Sequence, residues 1–570
     1  MSEMPRDSDE PDFSTFEHSS SELGGSASRQ ESDDLPILRD LTSELLMAQE
    51  MQRKAPPKLR QEPPKPPPVS LEEPEPEPPA APPAPEEQPA EVVDERANWF
   101  EARVEGPRSA GAKPRPAPRA PEPPFAALIA TISAGALWAA ATFFSTLRVE
   151  PVHTWYYLFA WYPFLLIVNF VTSQRTPGYS LFFGRWRTVL HLMAWSMPMW
   201  LVFEMINFRI ENWYYVGVPA NIVLRRIGVA LSFATVLPGV LLLEECLRVR
   251  RVFQGVRTPE IRWTTALDRN LLIAGGVAAA LVLALPTFFF PLVWAIPVLL
   301  LEPWLRRSGG ASLARDLADG RPGRVLRLLV AGMICGVVWE AANAVSGGRW
   351  IYTVPGLSAT APFEMPLLGF VGFAPFALCL WSMARALVRL GLLPDWERPG
   401  AEHAHEAEGI VPPAWRNRAK IGVAVLSLVV LQAMDWLTVD SFTVRARDIP
   451  GVPDGVPEYA RHRHQDSAYG VLRLIEAGDL YIPGGSTEML MGALGEKCRL
   501  ILFRGVGAAN ARRLEAVGVS TIEQLAVREP EELIAALAGL DEPGWWPRER
   551  RVRGWIEAAR REVAEGRPSR

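Results

Sequence analysis

Two short stretches of the 570-residue chain carry the same polar and aromatic residues in the same order. In WLVFEMINFRIENWYYVGVP, residues 200–219, a glutamate is followed three residues on by an asparagine, then by Trp-x-Tyr and Val-Pro: Glu204, Asn207, Trp213 and Tyr215. In VWEAANAVSGGRWIYTVP, residues 338–355, the series is Glu340, Asn343, Trp350 and Tyr352. The i, i+3 spacing places each carboxyl and its amide on one helix face. A carboxyl inside an apolar helix costs about 2.5–3.5 kcal/mol to insert and faces a bundle interior or a wet cavity, where it serves as proton donor, acceptor or hydrogen-bonding glue. A third acid, Glu364 in FEMP, opens the next apolar run on the same side. Three carboxyls, Glu204, Glu340 and Glu364, are therefore expected to meet Asn207, Asn343 and several rings near one leaflet.

The elements that must hold these groups are membrane spans. Apolar runs cover residues 125–147, 154–172, 189–208, 227–245, a double-length run 271–305 broken by Pro286 and Pro291, then 327–345, 365–388 and 419–437. Nine spans result, of which the two in the split run read as short and the last as barely apolar enough. Arginines concentrate in alternate loops: Arg115 and Arg119 before the first span, Arg175 and Arg185 after the second, Arg248, Arg250 and Arg251 after the fourth, Arg306 and Arg307 after the sixth. By the positive-inside bias the N-terminus is expected in the cytoplasm of a bacterium, with the chain in its inner membrane and both Trp-x-Tyr loops on the far side. An offset of about 136 superposes Glu204 on Glu340 and Asn207 on Asn343, and one further residue superposes Phe233 on Phe370 and Pro238 on Pro375. Each copy holds four spans, an even number, so the copies run parallel about an axis along the membrane normal. The expected fold is all-α: a polytopic membrane helix bundle of two parallel four-helix repeats, residues 125–247 and 271–390, joined by a basic cytoplasmic loop, 248–270. A second loop, 391–418, and a ninth span, 419–437, lead to a small helical domain, 438–570. No broken helix with glycine-rich unwinding stands out at matching positions, which argues against a transport path.

Composition agrees with a bilayer partner. Apolar residues make up 48% of the chain, yet residues 1–124 lack apolar runs and carry PPKPPPVS and EPEPEPPAAPPAPEE, so this tail reads as disordered. The four cysteines, Cys246, Cys335, Cys379 and Cys498, are isolated and give neither a disulfide framework nor a metal spacing. The pairs His403/His405 and His462/His464 lack a third ligand, and Glu244-Glu245 reads as a solvated helix end among arginines. No metal or cofactor is expected.

An acid in a span, then Trp-x-Tyr, a variable loop, and an acid beside proline at the next span resemble the membrane carotenoid-modifying enzymes, the bacterial heterodimeric-type lycopene cyclases and carotenoid hydratases. That resemblance covers only the repeated core, and the chain has Phe363-Glu364-Met365-Pro366 where the cyclases carry Pro-x-Glu-Glu. It implies an isoprenoid or similar apolar lipid as ligand and non-redox acid catalysis, in which a neutral glutamic acid protonates an alkene and aromatic faces stabilise the cation, with Glu204, Glu340 and Glu364 as candidate acids and Asn207, Asn343, Trp213, Tyr215, Trp350 and Tyr352 as the lining. The competing readings are a scaffold, in which Glu and Asn only lock the halves together, and a transporter.

Beyond Asp440 the chain reads as soluble and helical. LFRGVGAANARRLEAVGVSTIEQLAV, from Leu502, is similar to helix-hairpin-helix domains of unknown function at the ends of various bacterial proteins: Gly505-Val506-Gly507 forms the hairpin, Ala511 and Leu514 pack the second helix, and Ser520 with Glu523 makes a capping box. In nucleic-acid-binding members the glycines admit a phosphate, which Arg504, Arg512 and Arg513 would assist. No basic face is evident, and nine spans would carry the domain out of the cytoplasm. A protein partner or simple packing is therefore favoured, and nucleic acid is disfavoured.

Overall fold

The computed structural model describes residues 125–175, 181–354, 365, 367–397, 409–482 and 488–566. The expectations for residues 1–124 and for Pro355, Glu364, His403 and His405 fall outside them. Among the described residues nine helices, the first Ala127–Thr146 and the last Pro413–Leu437, are long and apolar enough to cross a membrane. The protein is an all-α membrane helix bundle.

The first repeat comprises α1 (Phe125–Thr146), α2 (Tyr156–Ser173), α3 (Trp186–Ile210) and a fourth span interrupted between α4 (Ile222–Phe233) and α5 (Val236–Val249). Ser196 on α3 explains how the interruption survives in an apolar surrounding: its hydroxyl donates to the Phe233 carbonyl at 2.6 Å and accepts from the Leu237 amide at 2.9 Å. The second repeat comprises α6 (Thr265–Ala284), a sixth span over Pro286–Arg307 that includes α7 (Ile296–Arg307), α8 (Gly323–Val345), and an eighth span that begins as a 3-10 turn, Leu367–Gly372, and continues as α9 (Phe373–Leu390). The change of helix type at Gly372 superposes, at the repeat offset, on the break at Thr235. The fourth span of each copy thus changes at the same place, without the glycine-rich unwinding of a broken helix. The break was hidden because it falls inside unbroken apolar runs. The split run is also corrected, since its helices have 20 and 22 residues. The first begins early, at Thr265, where Thr264 accepts from the Leu267 amide at 3.2 Å as N-cap.

The two Trp-x-Tyr segments form strands β1 (Trp213–Val216) and β2 (Arg349–Tyr352), paired antiparallel with Trp213 opposite Tyr352 and Tyr215 opposite Trp350. Trp350 is the repeat counterpart of Trp213 and Tyr352 that of Tyr215, so exchanging the copies maps one cross-strand pair onto the other. That is the signature of a two-fold relation. The ninth span, α10 (Pro413–Leu437), runs from Arg416 beside Gly391 to a segment that adds to the free edge of β1 by parallel bridges, Tyr215 with Val439 and Val218 with Phe442. It therefore traverses the bundle from one face to the other.

Opposite the strands, charged groups tie the helix ends. Glu244 is buried and accepts from Arg327 Nε at 2.8 Å, which corrects its reading as a solvated helix end. Arg324 pairs with Asp316 at 3.2 Å and with Glu397, while Arg385 pairs with Asp395 at 3.0 Å and also with Glu397. Burial alone would push the Glu397 carboxyl up, but the charges of Arg385 and Arg324 outweigh it and hold the group well below the usual carboxylate range.

The C-terminal segment has its own core, which includes Val506, Leu514, Trp555 and Ile556. Its helices include α11 (Glu488–Leu502), α12 (Gly507–Ala516) and α13 (Glu549–Glu565). Gly505 and Gly507 both adopt positive φ, as the tight turn between α11 and α12 requires. The cap after α12 is displaced by one residue from expectation: Thr521 accepts from the Gln524 amide at 3.2 Å and Gln524 accepts from the Ser520 amide at 2.7 Å.

Candidate functional site

Each Glu-x-x-Asn unit does two jobs one helical turn apart. The asparagine grips backbone. Asn207 Nδ2 donates to the Trp213 carbonyl at 2.9 Å, and its Oδ1 accepts from the amides of Asn212 and Trp213 at 2.9 and 3.3 Å. Asn343 repeats the grip on Trp350, with Nδ2 donating to the carbonyl and Oδ1 accepting from the amide, both at 2.9 Å. The glutamate grips rings. Glu204 Oε1 accepts from Trp200 Nε1 at 2.9 Å, Trp213 Nε1 at 3.0 Å and the Tyr215 hydroxyl at 2.6 Å. Glu340 Oε1 accepts from Trp350 Nε1 at 3.3 Å and the Tyr352 hydroxyl at 2.9 Å. Both glutamates are fully buried. Oε2 of Glu204 has no partner among the described residues. Burial, then the Glu204 carboxyl, push the Tyr215 hydroxyl well above the ordinary tyrosine range, so it remains a donor.

The alternation of β1 explains this convergence. Trp213 and Tyr215 face α3 and its glutamate, while Tyr214 and Val216 face the other way. The indole and phenol donors reach inward, and the ring bodies enclose space. A cavity of ≈ 170 Å³ lies between the repeats, walled by Trp200, Trp213 and Tyr215 from one copy and by Trp339, Trp350 and Tyr352 from the other. The discontinuous spans close it with Phe233 and Val236 on one side and Phe373 and Phe376 on the other. Ring contacts knit the wall: Trp200 meets Phe376 edge-on at 5.8 Å, Trp339 meets Phe376 at 5.8 Å, and Tyr157 meets Trp350 at 5.7 Å. Its wall is overwhelmingly apolar; Arg225 and Arg349 are the charged residues that border it. An engineered cavity of about 150 Å³ holds a benzene molecule, so this one takes a compact ring or the end of a longer apolar chain.

The structure thus brings together Glu204, Asn207, Trp213, Tyr215, Glu340, Asn343, Trp350 and Tyr352. The two glutamates stand one layer behind the cavity wall, in contact with the lining rings. Sequence reasoning missed Trp200, Tyr157, Trp339 and Phe376 as wall residues. Trp200 was within reach, since it lies four residues before Glu204 on the same helix face. Tyr157 was concealed in an aromatic run, YYLFAWY, that reads as an interfacial belt.

The turn glycines of the C-terminal segment meet this apparatus from outside. A side-chain carbon at Gly505 would come within 2.3 Å of Val216, and one at Gly507 within 2.5 Å of Ser441. The Tyr214 hydroxyl donates to the Arg504 carbonyl at 3.4 Å and accepts from Trp555 Nε1 at 3.3 Å, while Arg551 stacks on the Tyr214 ring and pairs with Asp440 at 2.8 Å. Arg513 is held by Glu542 at 2.6 Å, and Arg512 is exposed.

Fold and site define a membrane protein of two repeats, with nine spans among the described residues, whose duplicated Glu-x-x-Asn and Trp-x-Tyr units enclose an aromatic cavity. Residues 479–562 match a family described as Domain of unknown function (DUF4332). No curated protein and no solved structure matches the chain.

Proposed function

We propose that the protein binds an apolar, lipid-like ligand, isoprenoid or of similar character, in the cavity between its repeats. The observation that carries this reading is the cavity of ≈ 170 Å³ with ring faces from both copies on its wall, their polar atoms turned to Glu204 and Glu340. In it the glutamates and asparagines are positioning residues, and the ligand meets ring faces. Organic extraction of the purified protein followed by mass spectrometry tests it. A stoichiometric apolar lipid, lost in a Glu340→Gln variant, is the expected result; bulk phospholipid alone, unchanged by the variant, refutes it.

A second reading, acid catalysis, is favoured by the 2.6 Å contact between the Tyr215 hydroxyl and Glu204. A proton held at either acid reaches a ligand in the cavity through the tyrosine that borders it. Glu204 and Glu340 remain the acids of this reading; Glu364 lies outside the described residues. The C-terminal segment fits a helix-hairpin-helix unit whose hairpin, Gly505 to Gly507, is packed against the protein's own strand and linker. That packing supports an intramolecular or protein partner and leaves no room there for a nucleic-acid phosphate. The arginine-rich loops support a bacterial inner-membrane protein with a cytoplasmic N-terminus and with the strands on the outer side.

A further inference from the structure

The glutamates behind the cavity face neutral donors. Glu204 takes the N–H groups of Trp200 and Trp213 and the hydroxyl of Tyr215 on one oxygen, and no Lys or Arg among the described residues pairs with it. Its other oxygen, Oε2, is buried without a partner among those residues. Glu340 takes the Trp350 indole and the Tyr352 hydroxyl in the same way. For holding rings alone an amide would serve, since the carbonyl oxygen of a glutamine accepts the same bonds without the cost of an intramembrane acid. Both copies nonetheless carry the acid at matching places. What the acid adds is negative charge, set one layer behind ring faces that border the cavity. A buried carboxylate in turn needs positive charge nearby to offset its loss of water. The rings transmit that charge, because an indole or phenol that gives its hydrogen to a carboxylate is polarised and its face becomes more negative. Of the arginines that border the cavity, Arg225 has a counter-ion in Asp435 at 2.7 Å, and Arg349 alternates with Trp350 along β2 and so shares the other strand face with Ile351.

From this arrangement we infer that the ligand presents a compact quaternary ammonium group to the rings, with Glu204 and Glu340 as its counter-charges one layer away. This rests on the reading of the cavity as the site of a lipid-like ligand and gives that ligand a cationic end. A primary ammonium fits less well, because it needs acceptors for three N–H groups, whereas these rings offer faces and give their polar atoms to the glutamates. A quaternary ammonium donates no hydrogen bond and is held by ring faces alone. Its size agrees with the cavity of ≈ 170 Å³, since three methyl groups on nitrogen fill about the space of benzene, which a cavity of about 150 Å³ holds. An anionic end would meet two like charges behind the wall and is disfavoured.

The test uses the full-length protein in a non-ionic detergent and two probes of equal shape, choline and neohexyl alcohol, in which carbon replaces the charged nitrogen, titrated by calorimetry. Wild type should bind choline roughly tenfold more tightly, the ratio that a desolvated cation–π contact supplies. Glu204→Gln keeps an acceptor for the rings and removes one counter-charge, so choline should weaken roughly three- to tenfold while neohexyl alcohol binds as before. Glu340→Gln should do the same, and unchanged binding of the neutral probe shows that the wall is intact in either variant. Equal affinity of the two probes for wild type, a choline preference that survives both variants, or ethanolamine binding as tightly as choline overturns the quaternary ammonium and leaves the cavity reading standing. Binding of neither probe overturns it too, and the lipid extracted from the protein then decides the cavity reading by itself.

Discussion

Replacing Glu204 by Met separates the ring-clamping role of this residue from mere space filling. The substitution keeps the unbranched length of the side chain and removes an acceptor that serves three donors, Trp200, Trp213 and Tyr215, at 2.9, 3.0 and 2.6 Å. Each orphaned donor costs about 1–3 kcal/mol, and Tyr215 is the one best able to turn toward another partner. Removal of the unpartnered Oε2 returns part of this, about 1–3 kcal/mol, so the expected net loss is about 2–5 kcal/mol. Glu204→Gln retains a carbonyl oxygen at the same place and should lose only about 1–2 kcal/mol. Thermal unfolding in detergent, followed by tryptophan emission, reads both effects, because two of the freed donors are indoles. Emission should shift in the Met variant before any unfolding and remain near wild type in the Gln variant. A Met variant as stable as Gln, with unshifted emission, would refute the claim that this oxygen organises the wall.

Asn343→Ala should lose about 1–3 kcal/mol and loosen β2, since its amide meets both the carbonyl and the amide of Trp350; hydrogen exchange at residues 349–352 would report it, and unchanged protection there would count against the clamp. Gly505→Val should detach the C-terminal segment, because its first side-chain carbon would come within 2.3 Å of Val216 at a backbone φ of 71°. Limited proteolysis should then release a fragment that wild type protects, and equal resistance would speak against the contact. The imidazole of His153 is pushed down from 6.5 to about 4 by burial and by the charges of Arg148 and Arg349. Its folded pKa lies below its unfolded one, so the unfolded chain binds the extra proton, and stability should fall as pH drops from 6.5 to 4. His153→Gln should flatten that part of a melting-temperature profile, whereas an unaltered slope would assign it elsewhere. Glu397, also depressed, adds its own loss only below its ordinary value of 4.5.

Helix number, the duplication and the pairing of Glu with Asn were legible in the sequence because hydropathy and repeat offset report them directly. The strand pair was not. Trp-x-Tyr followed by Val-Pro reads equally as a loop anchored at the membrane surface, and only Asn207 and Asn343 gripping its backbone turns it into ordered strand. The discontinuity at Thr235 was invisible because the group that satisfies it, Ser196, comes from another helix. Glu244 was misjudged for a related reason: its partner, Arg327, is 83 residues away, and sequence reasoning weighed only the local arginines. The glutamates were identified as the centre of the site, yet the cavity is built from rings, such as Phe376 and Tyr157, that carry no distinguishing polar mark.

The strand pairing also bears on descent. Trp213 meets Tyr352 and Tyr215 meets Trp350, each residue facing the counterpart of its own neighbour two places along. A surface that pairs with its own duplicate in this manner is self-complementary, so two separate copies of one four-span unit would close the same strand pair across a dimer axis. Fusing the two into one chain then freed each half to vary alone, and Val236 against Phe373 is one position at the cavity wall where that freedom has been used.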